Sequence, residues 1–225
     1  MNIIDRLPPF SRTYDHARHA YSSRVVFLEQ WPAALTPPTH PAEPWNPGPD
    51  DYLDAYHRVG NPWLWYGRLE MGGARIAADL ADSARQCWRI DADGGFAGFC
   101  ELVYRSPLDA EILHFGLIPA VRGQGLGGRL MRTALAGALS MGARRVWLHT
   151  CSEDSAEAVG FYQHAGFRIF GTRLEWVTDP RRRGLLPATA GEGTRLPWSG
   201  EAAAASSEAG DAGSGVARPG GSRQG

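Results

Sequence analysis

No lysine occurs anywhere in the 225 residues; all 23 basic positions are arginine. Arginine stays protonated near neutral pH, so Schiff-base chemistry and a lysine general base are excluded. Cysteine is scarce too. Cys87, Cys100 and Cys151 are too few and too scattered for a disulfide framework, and no CxxC or HxxxH spacing offers a metal site. Reduced thiols and no metal are expected. Apolar runs are short: Val25 to Leu28 is typical, whereas crossing a bilayer takes about 20 residues in a row. The first twelve residues carry Asp5, Arg6, Pro8 and Pro9 where a secretory signal needs an unbroken apolar core. A cytoplasmic location without membrane association is therefore expected. A formal charge of −1 and a pI near 6.7 give no general electrostatic pull toward nucleic acid.

Composition shifts near Pro180. From there to Gly225 the chain is dominated by Gly, Ala and Ser, with few aliphatics, and cannot offset the entropy of ordering. Residues 180–225 are thus expected as a disordered tail, 24–179 as one domain, and 1–23 as an N-terminal extension. Six prolines between Thr36 and Pro49 imply a stiffened surface loop inside that domain.

The remaining periodicities predict strands over Arg24–Gln30, Gln86–Ile90, Phe96–Tyr104, Glu111–Ile118, Arg145–Thr150 and Phe167–Val177. Helices are predicted over Asp50–Val59, Ile76–Ala84, Leu126–Met141 and Ser155–Ala165. Leu126, Leu130, Met131, Ala134, Leu135, Ala138 and Leu139 form one apolar stripe on the third helix. Asp93-Gly94 marks a hairpin turn, which sets Cys87 opposite Cys100 as buried free thiols. The order β-α-α-β-β-β-α-β-α-β describes an α/β (α+β) fold, a mixed and mostly antiparallel sheet with helices on its faces.

Chemistry concentrates in Arg122-Gly123-Gln124-Gly125-Leu126-Gly127-Gly128. Bare backbone at a helix entrance presents unpaired N–H groups and the positive end of the dipole, a setting that binds phosphate. Gly123-x-Gly125-x-x-Gly128 also satisfies the dinucleotide fingerprint. Against a nicotinamide-dependent oxidoreductase stand the four residues between Ile118 and Gly123, and the absence of an acidic residue ending Val146–Thr150.

The segment Arg122-Gly-Gln-Gly125-Leu-Gly127, with Pro119 upstream, resembles the Gln/Arg-x-x-Gly-x-Gly/Ala signature of the GNAT superfamily of acyl-CoA-dependent N-acyltransferases. A second block agrees: Ser155-Ala-Glu-Ala158-Val-Gly-Phe161-Tyr162-Gln-His-Ala-Gly166-Phe167, with Ser155 in place of the family's Asn. Val59–Arg68, Phe96–Glu101 and Glu111–Leu117 are similar to one uncharacterised bacterial branch.

The resemblance implies acetyl-CoA as co-substrate and an N-acetyltransferase that works by direct attack of an amine in a ternary complex. The amides of Gly123, Gln124, Gly125, Leu126, Gly127 and Gly128 would cradle the pyrophosphate beside Arg122. Leu117 and Ile118 would pair with pantetheine and polarise the thioester, with Ser155 and Phe161 along the arm. Tyr162 would be the general acid. Glu111 is the first candidate base, taken to share a face with Leu113, Phe115 and Leu117, and Glu101 is the second. His114 and His149 read as packed strand histidines. Trp63, Trp65 and Tyr66 would wall the acceptor pocket or pack the core. The acceptor, a small-molecule or peptide amine, has no motif, and a homodimer through sheet edges is compatible with the fold. A non-catalytic acyl-CoA sensor is the rival from a different class.

Overall fold

The computed structural model describes residues 20–32, 37–194 and 196. Its strands are β1 (Ala20–Gln30), β2 (Glu43–Pro44), β3 (Arg85–Ala92), β4 (Gly95–Ser106), β5 (Asp109–Leu117), β6 (Arg145–Cys151) and β7 (Arg168–Thr178). Its helices are α1 (Pro49–Gly60), α2 (Gly73–Leu80), α3 (Leu126–Ser140) and α4 (Ala158–His164). The strands form one sheet in the order β2-β3-β4-β5-β6-β1-β7. Every pairing is antiparallel except β5 with β6.

Apolar alternation places the helices. Val26, Leu28, Ile112, Val146 and Leu148 join Leu130, Met131, Ala134, Leu135 and Ala138 of α3 in one core, with Ala158 and Phe161 of α4 packed against it. Tyr52, Ala55, Tyr56 and Val59 of α1 and Ile76 of α2 pack on Phe96 and Phe99 from the other face. Contact is close at Gly137, where a Cβ would come within 2.3 Å of the Trp88 ring. Thr133 ties down the preceding loop, its Oγ1 accepting from the Ala42 amide at 2.9 Å. That loop carries β2, a two-residue edge strand in which Pro44 is tolerated because it sits at the sheet's rim.

Several expected boundaries move. β1 starts at Ala20, not Arg24, so residues 20–23 belong to the sheet, while residues 1–19 of the expected extension lie outside the described residues. Residue 36 of the expected loop, residues 33–35 before it, and most of the tail, 195 and 197–225, lie outside them as well. α4 begins at Ala158; Ser155 instead starts the preceding turn, with the Ala158 amide donating to its carbonyl at 3.0 Å. Cys87 faces Glu101, and Cys100 faces Trp88, because a bulge between Ile90 and Asp91 shifts the register by one residue. Both thiols are free and buried, as expected. Burial pushes the Cys87 thiol up to about 12, so it stays protonated.

The largest correction concerns the tail. Disorder was expected from Pro180, yet 180–194 folds back on the connection between α1 and α2. Leu186 and Ala190 bury against Leu64, the Gly191 amide donates to Asn61 at 2.9 Å, and that of Gly193 donates to Pro62 at 3.0 Å. Asp179 and Arg181 form a buried ion pair at 2.8 Å that closes the start of this segment. Few large aliphatics suffice here because the segment borrows a surface that Leu64, Tyr66 and Leu69 already present.

Candidate functional site

β5 and β6 pair only from Asp109–Ile112 to Arg145–Leu148 and then part. Into the gap runs a cavity of about 790 Å³, lined by Leu113 to Leu117 and by Leu148, His149 and Cys151. α3 and α4 border it on one face of the sheet, and the connection between α1 and α2 on the other. The parting of two central strands leaves main-chain groups of β5 beyond Ile112 without a partner strand on that side.

At one mouth stands the glycine segment. Gly123 and Gly125 have φ of 78° and 77°, the left-handed region that glycine alone adopts freely. Gly125 caps α3, and no side chain bonds the helix start. The first amide to find a backbone acceptor is that of Arg129, donating to Gly125 at 3.2 Å. Among the described residues, none of the hydrogen bonds is donated by the amides of Gly123 through Gly128. These donors converge at the positive end of a 15-residue helix. Gly127 lets α4 approach, since a Cβ there would lie 3.4 Å from the Phe161 ring. Arg122 lays its guanidinium over the Trp63 ring, 4.5 Å from the centroid.

Of the residues expected around this loop, Leu117, Arg122, Gly123, Gly125, Gly127, Gly128, Ser155 and Phe161 line the cavity. Ile118, Gln124 and Leu126 flank it; the Ile118 amide is engaged with Ala97 at 2.9 Å. Ser155 bonds the Glu157 carboxylate and accepts from the Glu157 amide at 3.3 Å, so it caps the turn before α4. Trp63, Trp65 and Tyr66 all line the cavity. Trp63 supports Arg122, while Trp65 donates its indole N–H to Asp154 at 3.3 Å and lies beside His114, with ring centroids 5.3 Å apart.

Tyr162 of α4 is buried in the cavity wall among Phe115, Phe161 and Phe167. Its hydroxyl bonds no described residue. Burial, and then the nearby Asp154 carboxylate, raise its pKa well above the ordinary tyrosine value, so the hydroxyl keeps its proton.

Neither expected glutamate reaches the cavity. A bulge sets Glu101 opposite His114 and Leu102 opposite Ile112, so β5 carries an extra residue at Leu113. Alternation is broken there. Ala110 and Ile112 face α3, and so do Phe115 and Leu117; Glu111 therefore does not share their face. It is buried against Arg105, whose Nε donates at 2.7 Å, and its other oxygen lies 3.7 Å from His149 Nδ1. Glu101 is wholly buried and bonded to Arg68, Arg85, Tyr52 and His114. Desolvation alone would raise its pKa; the hydrogen bond from His114, with the charges of Arg68 and Arg85, holds it far below the ordinary carboxylate range. A carboxylate bonded in this way is a fixed charge and a poor proton acceptor.

The residue that the bulge delivers is His114. It lines the cavity, its Nδ1 lies 2.7 Å from Glu101 Oε2, and its ring is boxed by Tyr56 and Trp65. Nε2 has no hydrogen-bond partner among the described residues. Burial lowers its pKa from the ordinary 6.5, against the opposing pull of Glu101, so the imidazole is neutral at pH 7 with one nitrogen able to accept a proton. No sequence signal announces the bulge; the nearest clue is that Glu101 and His114 sit on strands joined by a short hairpin.

Residues 27–167 match the acetyltransferase (GNAT) family. Over 103 residues the chain is 35% identical to an uncharacterized N-acetyltransferase of Mycobacterium tuberculosis, covering 46% of this chain and 65% of that relative. The match to a mycothiol acetyltransferase of Corynebacterium glutamicum is 35% over 97 residues, 40% of this chain and 33% of that protein. A GCN5-related N-acetyltransferase structure from Kribbella flavida shares the fold, with TM-score 0.51 and 20% identity, over 72% of this chain and 60% of that one.

Proposed function

The chain belongs to the GNAT acetyltransferase family, and we propose that it transfers an acetyl group from acetyl-CoA to a primary amine by direct attack within a ternary complex. The observation that carries this reading is the single cavity that joins the unpaired amides of the glycine segment to Tyr162 and His114 through the gap between β5 and β6. The residues fit the co-substrate: several free N–H donors at a helix start, with Arg122 beside them, suit a diphosphate. The parted strand offers backbone groups to an amide-bearing arm. Bound acetyl-CoA would supply an activated acetyl thioester.

The chain's own groups divide the remaining work. Gly123 to Gly128 hold the diphosphate, and unpaired backbone of β5 near Leu117 orients the arm. Nε2 of His114 accepts the proton that the acceptor ammonium must lose before it can attack. Glu101 is a positioning residue; it fixes the ring and the proton on Nδ1. Tyr162, kept protonated by its surroundings, donates to the departing thiolate. Trp65 and Tyr66 wall the acceptor side of the gap.

The direct test incubates the protein with acetyl-CoA and a panel of primary amines while free thiol is followed; amine-dependent thiol release is expected, and none with any amine would defeat the proposal. Tyr162→Phe is expected to lower turnover by roughly 10²-fold with CoA affinity retained, measured by steady-state kinetics beside calorimetry. Gly125→Val forces a β-branched residue to φ near 77°. The loop must then deform, and CoA binding measured by calorimetry is expected to weaken about tenfold or more.

A further inference from the structure

The folded-back segment after β7 lies outside the region that matches the family, which ends at residue 167, yet it touches the site. At its start, Arg181 bonds Asp179 and donates to the Ala190 carbonyl at 3.2 Å, which closes the segment into a compact loop. At its end, Gly193 lies directly against Trp63: a Cβ at this glycine would come within 2.7 Å of the indole ring and 2.9 Å of the Pro62 carbonyl. The opposite claim on Trp63 comes from Arg122, whose guanidinium stands over the same ring. Trp63 is therefore in contact with both the C-terminal segment and the first residue of the glycine segment.

We propose that residues 179–194 form a positioning strap for the phosphate-binding loop, acting through Gly193 and Trp63 to hold the Arg122 guanidinium at the cavity mouth. The idea rests on the reading that this loop binds the diphosphate of CoA. Its logic is entropic. An exposed arginine samples many rotamers, and a site that has already restricted them loses less freedom on binding. The strap contributes no atom to the anion site. It fixes the platform on which the cation lies, and Gly193 is required because only a residue without a side chain leaves room for the indole.

The test is a double-mutant cycle read by calorimetric titration of the full-length protein with CoA. Gly193→Val should displace Trp63 and weaken CoA binding roughly fivefold, the worth of one partly exposed cation–π contact. Trp63→Leu, which removes the platform with no change in the strap, should weaken it similarly. Arg122→Ala should cost at least as much. The doubly substituted Arg122→Ala, Gly193→Val protein should bind no more weakly than Arg122→Ala alone, since both changes then remove the same contribution. A merely structural strap would give multiplying losses in the double variant. That result, or unchanged binding in both Gly193→Val and Trp63→Leu, would overturn the strap. Failure of the wild-type protein to bind CoA would instead overturn the reading of the loop.

Discussion

Replacing His114 with alanine is expected to lower acetyl transfer by about 10²–10⁴-fold, the contribution of a general base, while CoA binding stays at the wild-type value. In the proposed reaction the amine must arrive at the thioester without its extra proton, and His114 is the cavity group assigned to accept it. Its Nδ1 is committed to Glu101 at 2.7 Å, which leaves Nε2 as the basic nitrogen. Because burial lowers its pKa below 6.5, the base form prevails at neutral pH, and wild-type activity should decline only as pH falls below that value. Added imidazole should restore part of the activity to His114→Ala, because the deletion leaves a ring-sized space; a packing role would not be rescued in this way. Full activity in His114→Ala would reassign the base. The depressed pKa also contributes to stability. The folded protein binds fewer protons here than the unfolded chain, so the contribution is present above about 6.5 and is lost as pH falls below it.

Glu101→Gln is expected to destabilise the fold by about 3–5 kcal/mol, the cost of breaking a buried ion pair from one side. Side chains of Arg68 and Arg85 are 4% and 8% exposed, and both bond this carboxylate. Without it, two guanidinium groups share Asp79 alone. Chemical denaturation should show the loss as a lower midpoint, and a midpoint within experimental error of wild type would refute the role. The pH dependence has a definite sign. Glu101 has its pKa held below the ordinary 4.5, so its contribution is present above 4.5 and fades as pH falls through the depressed value. The variant should lack that part of the acid decline.

The fold was legible because its elements are strongly patterned: the stripe on α3, the run of Val146 to Leu148, and the turn at Asp93-Gly94 each dictate one structure. The glycine turn at the cavity mouth was legible for a related reason, since backbone freedom leaves its mark directly in glycines. The strand face that borders the gap was not. Face assignment in a strand depends on unbroken alternation, and the extra residue at Leu113 exchanged Glu111 for His114 with no trace in composition. The bulge at Ile90 misled the cysteine register in the same way. The segment after Thr178 reads as disordered because its own apolar content is low; the surface it covers is contributed by residues more than a hundred positions earlier.

The gap between β5 and β6 opens within a continuous sheet rather than between two bodies. The two strands that flank it remain joined through Ile112 and Leu148, and on their far sides each is stitched to a neighbour, β4 and β1. Each side of the slot is therefore carried as a paired unit, β5 with β4 and β6 with β1, and the short ladder from Asp109 to Ile112 holds the two sides together at its base. The slot is open to both faces of the sheet, so in the proposed reaction two guests can meet inside it without passing one another, the thiol carrier from one face and the amine from the other.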